Sequence, residues 1–262
     1  MGKVIVVGLS IAAAWSIGCS GASGGVGTGA GGSTGTGGSA GEPVSTVALQ
    51  GYVHESSGTD MSGVEVCQEG TPGSAGDACV QSGPDGSFIM AAVPANELAS
   101  LTFHKDGFLP TRRSVLMGDQ DVRLPQSDDS MLPATSPATF LGVAADPTRG
   151  HIAFQIANSD GNAPPVDVTL TGFDGTEPPP ALSSDGSPAA TIAAGAGGGF
   201  ANVAPGTYVL RVGGASATCT ASSLYGVPIT AEQPSSLAAI AITVVAGYVT
   251  SPVVVSCARM QP

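Results

Sequence analysis

Few residues in this chain could perform metal or acid–base chemistry. Its three histidines stand in "HESS" (His54), "HKDG" (His104) and "HIAF" (His151). A catalytic zinc site needs imidazoles and a carboxylate that converge on the metal, and no His-x-x-Glu or His-Glu-x-x-His pair is present. Serines are too abundant to single out a nucleophile that would have its own base and acid. We therefore predict no catalytic residues, no metal site and no cofactor.

Two metal hypotheses remain as alternatives. In the first, a metal-dependent hydrolase combines His104 and His151 with Asp or Glu across two domains, and a stoichiometric bound metal would support it. In the second, "NSDGN" (158–162) holds calcium through its oxygen-rich turn. Because this turn lacks the spaced carboxylates and bidentate glutamate of a dedicated loop, we predict a hairpin turn there. Asp85-Gly86 and Asp106-Gly107 are also predicted turns, where glycine supplies positive φ.

The other reactive residues are five cysteines, of which Cys19 stands apart from the rest. It ends an apolar run, "VIVVGLSIAAAWSI", that follows the single charge of Lys3. At about 1.5 Å rise per residue, that run is too short to cross a hydrocarbon core of about 30 Å. A charged tip, a short apolar core and small residues at its end indicate a secretory signal peptide.

The residues "SIGC" (16–19) resemble the lipobox of bacterial lipoproteins. The resemblance implies cleavage before Cys19, diacylation of its sulfur and acylation of its new amino group, and hence a palmitate-type membrane anchor. Ser16 departs from the family's usual leucine. Ser20 is not the aspartate of inner-membrane retention, which implies an outer-membrane lipoprotein facing either the periplasm or the cell surface. The alternative is an ordinary signal peptide cut near Gly18 or Ala22, with Cys19 left as a thiol.

With Cys19 assigned to lipid, an even number of cysteines remains: Cys67, Cys79, Cys219 and Cys257. An exported protein meets an oxidising compartment, which favours disulfides over a metal site. The sequence does not fix their connectivity. The pairs 67–79 and 219–257 are local, and each falls within one candidate domain.

The composition excludes some partners and favours strands. The formal net charge is −12, and the eight Lys and Arg residues have no cluster beyond Arg112-Arg113. A basic groove is what a phosphate backbone requires, so we predict no nucleic-acid partner. The chain contains 39 glycines and 20 prolines, and with its many Val, Thr and Ala residues this favours short strands and turns over long helices.

The sequence divides into five predicted segments. We predict a lipoprotein signal peptide (1–18), a lipidated cysteine with a disordered Gly/Ser-rich tether (19–43), a first β-sandwich (44–126), a linker (127–137) and a second, diverged β-sandwich (138–262). The tether is nearly all Gly, Ser, Thr and Ala and cannot bury a core. The fold class is therefore all-β, with tandem antiparallel Greek-key sandwiches after the tether.

Strand patterns in the first sandwich are "TVALQGYVH", "GVEVC", "GSFIMAAV", "SLTFHKDGF" and "QDVRL". The stretches "GYVHESSGTDMSGVEVC", "SGPDGSFIMAAVPANELASLTFHKDGFLPTRRSV" and "DVRL" resemble a carboxypeptidase regulatory-like domain over nearly all of residues 47–124. The resemblance implies a transthyretin-like (prealbumin-like) β-sandwich without catalytic residues of its own.

The second sandwich repeats part of the first. "VDVTL" and "GGGFANVAPGTYVLRV" follow the same order as "GVEVC" and "DGSFIMAAVPANELASLTF": V-x-V, Gly-x-Phe, a valine and proline turn, then an outgoing strand. After Cys219 the repeat fades, and the last forty residues read either as part of this sandwich or as an extension. The apolar run 237–249 is short and rich in Val, Ile and Thr, which predicts buried strands rather than a membrane span.

These patterns predict a non-enzymatic lipoprotein of the cell envelope. Its sandwich loops would bind a glycan, a peptide or an envelope protein, and its lipid would hold it on the membrane. Fold alone does not assign the ligand, because one fold hosts many functions. A second alternative, beside the metal-dependent hydrolase, is a purely architectural spacer. The oligomeric state is left open.

Overall fold

A computed structural model describes residues 45–70, 78–125, 129–131, 139–173, 177–222, 224, 226–229 and 236–260. The predicted signal peptide, Cys19, the tether and most of the predicted linker lie outside these residues. The described residues form strands and turns and contain no α-helix. None of their elements is a helix long and apolar enough to span a membrane.

Eight strands make up the first part of the described chain. They are β1 (Thr46–Glu55), β2 (Glu65–Gln68), β3 (Ala78–Gln81), β4 (Ser87–Pro94), β5 (Leu98–His104), β6 (Thr111–Leu116), β7 (Val122–Arg123) and β8 (Asp129–Met131). Strands β4, β1 and β7 form one sheet, in which β8 also pairs with β1, while β6, β5, β2 and β3 form the opposite layer. Side chains from both layers make one buried core, in which Phe88 meets Phe103 edge-on at 5.9 Å. This is a β-sandwich.

Twelve further strands make up the second part. They are β9 (Thr139–Phe140), β10 (Val143–Ala144), β11 (Gly150–Asn158), β12 (Val166–Gly172), β13 (Leu182–Ser183), β14 (Thr191–Ile192), β15 (Gly197–Val203), β16 (Gly206–Gly213), β17 (Ala217–Ala221), β18 (Val227–Pro228), β19 (Ala238–Val244) and β20 (Val249–Arg259). Strands β13, β15, β11 and β20 face a layer ordered β14-β12-β16-β19-β18. A second core lies between these layers.

The two sandwiches have the same ladder pattern. In the first, β1 pairs with β4 and β7, β2 with β5, and β5 with β6. In the second, β11 pairs with β15 and β20, β12 with β16, and β16 with β19. The residues after Cys219 thus supply strands that correspond to β6 and β7, so they complete the second sandwich. The pairing of non-consecutive strands within each layer matches the predicted Greek-key arrangement.

The all-β sandwich prediction is confirmed, and the strands show their expected alternation. Along β12, Val166, Val168 and Leu170 are buried while the residues between them are exposed, which is the period of two that a half-buried strand requires. The apolar run 237–249 forms β19, a turn and the start of β20, as predicted. The turns at Asp85-Gly86 and Asp106-Gly107 are present, with φ of 73° at Gly86 and 82° at Gly107.

Four ladders are parallel, which the sequence analysis did not anticipate. They are β1–β7, β1–β8, β11–β20 and β6–β20. In each sandwich, the first strand pairs with a strand (β7 or β20) that the chain reaches only after it has formed the strands between them. Such a long connection lets neighbouring strands run in the same direction, whereas a short hairpin makes them antiparallel.

Strand β20 joins the two sandwiches into one sheet. It pairs with β11 of its own sandwich over most of its length, and Val249 and Thr250 pair with Thr111 and Arg112 of β6. The result is a continuous sheet ordered β13-β15-β11-β20-β6-β5-β2-β3. The backbones of the two sandwiches are therefore hydrogen-bonded to each other.

The only basic pair of the chain lies at this junction. Arg113 is 1% exposed, and its Nε and Nη2 donate to the carbonyl of Leu224 at 3.1 and 3.0 Å. The Leu224 side chain packs against the core of the first sandwich. Arg112 lies on the other face of β6 and donates from Nε to Glu69 Oε2 at 2.8 Å. The loop that carries Leu224 thus connects the second sandwich to the first core.

Candidate functional site

A groove of about 690 Å³ lies at one end of the first sandwich, on the outer face of the continuous sheet. Its lining combines polar side chains from three strands with the loop between β5 and β6. The lining residues are Gly63, Glu65, Gln81, His104, Lys105, Asp106, Gly107, Phe108 and Pro110. A concave surface with a few convergent polar groups is the usual form of a ligand site.

Three of these side chains form a row across neighbouring strands. Glu65 on β2 is directly opposite Gln81 on β3, and it is also opposite His104 on β5. Adjacent valines Val64 and Val66 face the core, so Glu65 must point outwards. Glu65 and Gln81 are exposed, and His104 is half-buried. We call Gln81, Glu65 and His104 the polar row.

The loop 105–110 forms one wall of the groove. It turns at Gly107, and the Phe108 amide donates to the Lys105 carbonyl at 3.1 Å. The Lys105 ammonium donates to the carbonyl of Ser62 at 2.6 Å, which ties this loop to the strand entry before β2. Asp106 at the tip is exposed. The wall therefore presents a carboxylate and an aromatic ring, while its ammonium group is engaged in holding the loop.

The second sandwich contributes a tyrosine at the end of the polar row. The hydroxyl of Tyr248, in the turn between β19 and β20, lies 3.2 Å from His104 Nε2. Their rings meet edge-on with centroids 5.5 Å apart. The next residue, Val249, donates its amide to the carbonyl of Pro110 at 2.8 Å. The groove lining itself belongs to the first sandwich, and the junction of the two sandwiches adjoins it through these contacts of Tyr248 and Val249.

The structure gives the three histidines different surroundings. His54 Nδ1 lies 3.0 Å from Asp60 Oδ1, and His104 belongs to the polar row. His151 is buried, stacks on Phe140 at 4.9 Å between centroids, and accepts the backbone N–H of Asn202 at Nδ1 over 3.2 Å. Burial lowers the pKa of His151, and the carboxylate of Asp146 raises it in part. Among the described side chains, no group of three potential metal ligands includes a histidine.

The four cysteines form two disulfide bonds, Cys67–Cys79 and Cys219–Cys257, as their even number predicted. Each bond joins directly opposed residues of neighbouring strands. Glu65, Cys67 and Cys79 have ligand-type atoms within 4.8 Å of one another. Because the two sulfurs are bonded to each other, neither is the thiolate that a metal would need. This cluster is therefore a disulfide beside the polar row.

The turn "NSDGN" uses its oxygens within the protein. Asp160 Oδ1 accepts the amide of Asn162 and Oδ2 accepts the amide of Arg259, both at 2.9 Å, and these bonds lower the Asp160 pKa. Asn158 Oδ1 accepts the amide of Ala163 at 3.1 Å. The segment connects β11 of one sheet to β12 of the other, so it is a turn between the two layers. The predicted hairpin is wrong, because β11 and β12 do not pair with each other. Backbone amides engage the carboxylate of Asp160.

Sequence reasoning identified only part of the groove. The sequence suggested His104 as a metal ligand, whereas the structure places it in the polar row. Gln81, Lys105 and Tyr248 were not considered. The outward position of Glu65 followed from the alternation in "GVEVC", but its neighbours come from strands distant in the chain. No local signal in the sequence places Tyr248 beside His104, 144 residues away.

Comparison with known proteins supplies similarity of fold only. No protein-family profile matches the chain. No curated protein matches it either. Similar solved structures include the Bacillus anthracis TIE protein (10% identity, 82% of this chain and 34% of that one, TM-score 0.27) and the shaft pilin SpaA of Lactobacillus rhamnosus GG (10% identity, 84% and 100%, TM-score 0.23). A third is a candidate carbohydrate-binding protein from Bacteroides uniformis (11% identity, 77% and 99%, TM-score 0.26).

The chain spans about a third of the TIE protein structure. At these TM-scores the similarities carry no argument about function. The all-β sandwich architecture described above rests on the ladders and cores of this chain itself.

Proposed function

We propose that this chain is an exported, lipid-anchored protein of the outer membrane that binds a neutral glycan in the groove of its first sandwich. Binding is its role, and no bond is made or broken. Its first sandwich is a carboxypeptidase regulatory-like domain, and its second holds the groove in place through Tyr248. The polar row is the observation that carries this proposal.

The side chains of the polar row suit a polyhydroxylated ligand. The Gln81 amide both donates and accepts hydrogen bonds, and the Glu65 carboxylate accepts them from hydroxyl groups. The half-buried ring of Phe108, which packs against the first core, lines the groove beside these polar groups, which suits the mixed apolar and polar faces of a sugar. These groups are open on the outer face of a sheet whose backbone is already paired, so the ligand meets a firm surface.

Charge favours a neutral ligand over an anionic one. The groove contains the carboxylates of Glu65 and Asp106, and its one ammonium, that of Lys105, donates to the Ser62 carbonyl. The whole chain has a net charge of −12. A phosphate, sulfate or uronic acid group would therefore meet repulsion both at long range and in the groove.

The leader resemblance and the cysteines support the proposed location. The lipobox resemblance at Cys19 supports acylation, and two or more acyl chains give stable anchoring where one gives only reversible binding. Two disulfides are typical of an exported protein. The intact mass of the mature protein from membranes, compared with that of a Cys19→Ala variant, tests this part. A wild-type protein that is soluble and unacylated contradicts the anchor.

A glycan array probed with the full chain carrying Cys19→Ser tests the binding part. We expect neutral glycans to bind and anionic ones to give no signal. Glu65→Ala and His104→Ala should each weaken binding about five- to tenfold, the loss expected for one hydrogen-bonding group. Asp167→Ala is the matched control, because Asp167 holds in "VDVTL" the place that Glu65 holds in "GVEVC". Binding of peptides or of an envelope protein, with no glycan bound, would overturn the proposal.

A further inference from the structure

We infer that the groove holds a linear oligosaccharide that lies across the strands, with one sugar unit over each of Gln81, Glu65 and His104. This inference rests on the proposed glycan function and specifies the form of the ligand. Its basis is the register of three neighbouring strands and the identity of the side chains at that register.

The spacing of the polar row matches a chain of sugar units. Gln81, Glu65 and His104 are directly opposed residues on β3, β2 and β5, and neighbouring strands lie about 4.8 Å apart. One pyranose unit of an extended β-linked chain advances by a comparable length. A ligand perpendicular to the strands thus offers one unit to each side chain, whereas a ligand parallel to the strands would meet only one of the three.

The borders of the groove favour the same direction. Along the strands, loop 105–110 lies on one side of the polar row. On the other side lies the Cys67–Cys79 disulfide, two residues farther along β2 on the same face as Glu65. Across the strands, β3 ends the sheet within the described residues, and Gln81 on this strand is exposed. At the opposite end stands Tyr248, beside His104.

The second sandwich lacks an equivalent row. Its counterpart of Glu65 is Asp167, which lies opposite Gly213 on β16, where the first sandwich has His104. On its other side Asp167 faces Thr191 of β14. One carboxylate, a glycine and a short hydroxyl side chain do not give three planar polar groups in register. The elongated site is therefore a property of the first sandwich, although both sandwiches have the same ladder pattern.

The test measures affinity against ligand length by isothermal titration calorimetry. The probes are cello-oligosaccharides and chito-oligosaccharides of one to six units, and the protein is the full chain with Cys19→Ser. In at least one series we expect the affinity to rise with each unit up to three and then to stay constant. Gln81→Ala should remove the gain from one unit and make the trimer bind like the dimer, about five- to tenfold more weakly. Asp167→Ala should leave the length profile unchanged.

Other outcomes separate this inference from the proposed function. Binding that is independent of length overturns the across-strand arrangement and leaves the proposed function standing. A gain that continues through six units, or a Gln81→Ala variant with an unchanged profile, also overturns it. If neither series binds while the array shows other neutral glycans bound, the linear β-linked ligand is wrong. If no glycan of any kind binds, the proposed function itself falls. Equal melting temperatures of all variants establish that none of these results reflects misfolding.

Discussion

The ring of Phe154 on β11 lies directly over Gly198 on β15, so close that a Cβ atom on the glycine would come within 2.8 Å of Cζ. In the first sandwich this pair is reversed: Gly51 on β1 faces Phe88 on β4. The shared bulge near the start of β1 and of β11 fixes this correspondence, since it shifts the two ladders at the same place. In each sandwich, one aromatic ring therefore lies over one glycine at this position. The strand that supplies the ring in one sandwich corresponds to the strand that supplies the glycine in the other.

This reversal corrects the repeat as read from sequence. The shared order Gly-x-Phe aligns Phe88 with Phe200, but the ladders place Phe200 opposite Ile152, where the first sandwich has Met90 opposite Leu49. The two copies are therefore related by ladder position and not by the Gly-x-Phe motif. A slip of two residues keeps each side chain on the same face of the strand, so the sequence pattern survives it.

The first prediction concerns the space over Gly198. Gly198→Ala should lower the free energy of unfolding by about 1–3 kcal/mol, because the added methyl group meets both the Phe154 ring and the carbonyl of Leu182. Gly118→Ala is the control, since nothing lies within 4 Å of its Cβ position and its φ is not positive. Urea denaturation of both variants measures the difference. Equal stability of Gly198→Ala and wild type would show that the two strands adjust without cost.

The second prediction concerns the junction. Arg113→Met should destabilise the protein by about 1–3 kcal/mol, because the partly buried carbonyl of Leu224 loses its two Arg113 donors. The Leu224→Ala variant keeps that carbonyl and tests the packing alone. Thermal unfolding followed by calorimetry is the measurement. A midpoint unaffected by Arg113→Met would mean that the loop carrying Leu224 does not need this side chain.

The third prediction concerns pH. The pKa of His151 is lowered by burial from its ordinary value of 6.5, so the unfolded chain binds this proton at a higher pH than the folded chain does. The stabilisation is complete above about pH 6.5 and is lost as the pH falls below it, with a slope of at most about 1.4 kcal/mol per pH unit. Protonation also removes the acceptor of the Asn202 N–H.

Urea midpoints between pH 7 and pH 5 measure this slope, and titration of the imidazole by NMR assigns it. His151→Phe should be less stable at pH 7 and should show a flatter profile over the same range. The four turn carboxylates with lowered pKa, those of Asp85, Asp146, Asp160 and Asp185, titrate below their ordinary 3.8. Their protonation therefore affects the stability only below the measured range of pH 7 to pH 5. An unchanged slope in His151→Phe would assign the acid sensitivity to another group.

The fourth prediction concerns the disulfides. Cys79 is exposed, whereas Cys219 and Cys257 are buried, so a mild thiol reductant should open Cys67–Cys79 first because it reaches that bond. Alkylation followed by peptide mass analysis identifies the opened pair. In denaturant both pairs should open together. Early labelling of Cys257 under native conditions would contradict the prediction.

Loss of the two bonds should differ in cost. The Cys67–Cys79 bond spans 12 residues and Cys219–Cys257 spans 38. The entropy of loop closure in the unfolded chain then gives about 3 kcal/mol for the first and about 4 kcal/mol for the second. Paired Cys→Ser variants of each bond supply the comparison.

Local patterns in the sequence predict the class of fold and many of its strands. Three kinds of local signal predict local structure. The alternation in "VDVTL" predicts period-two burial, and the Asp-Gly pairs predict turns. The even set of four cysteines predicts disulfides between nearby strands. These features depend on a few neighbouring residues, since side chains alternate along any strand whatever lies beside it.

Which strands lie side by side is visible only in the folded chain. Arg112, which pairs with Thr250 of β20, and Arg113, which donates to the carbonyl of Leu224, are both buried, and nothing local in the sequence indicates these partners. The pairing of β20 with β6 also accompanies the contact of Tyr248 with His104 beside the groove. Strand partners are chosen by packing between distant segments, and no local period encodes that choice, because each strand offers two hydrogen-bonding edges to any partner that its core allows.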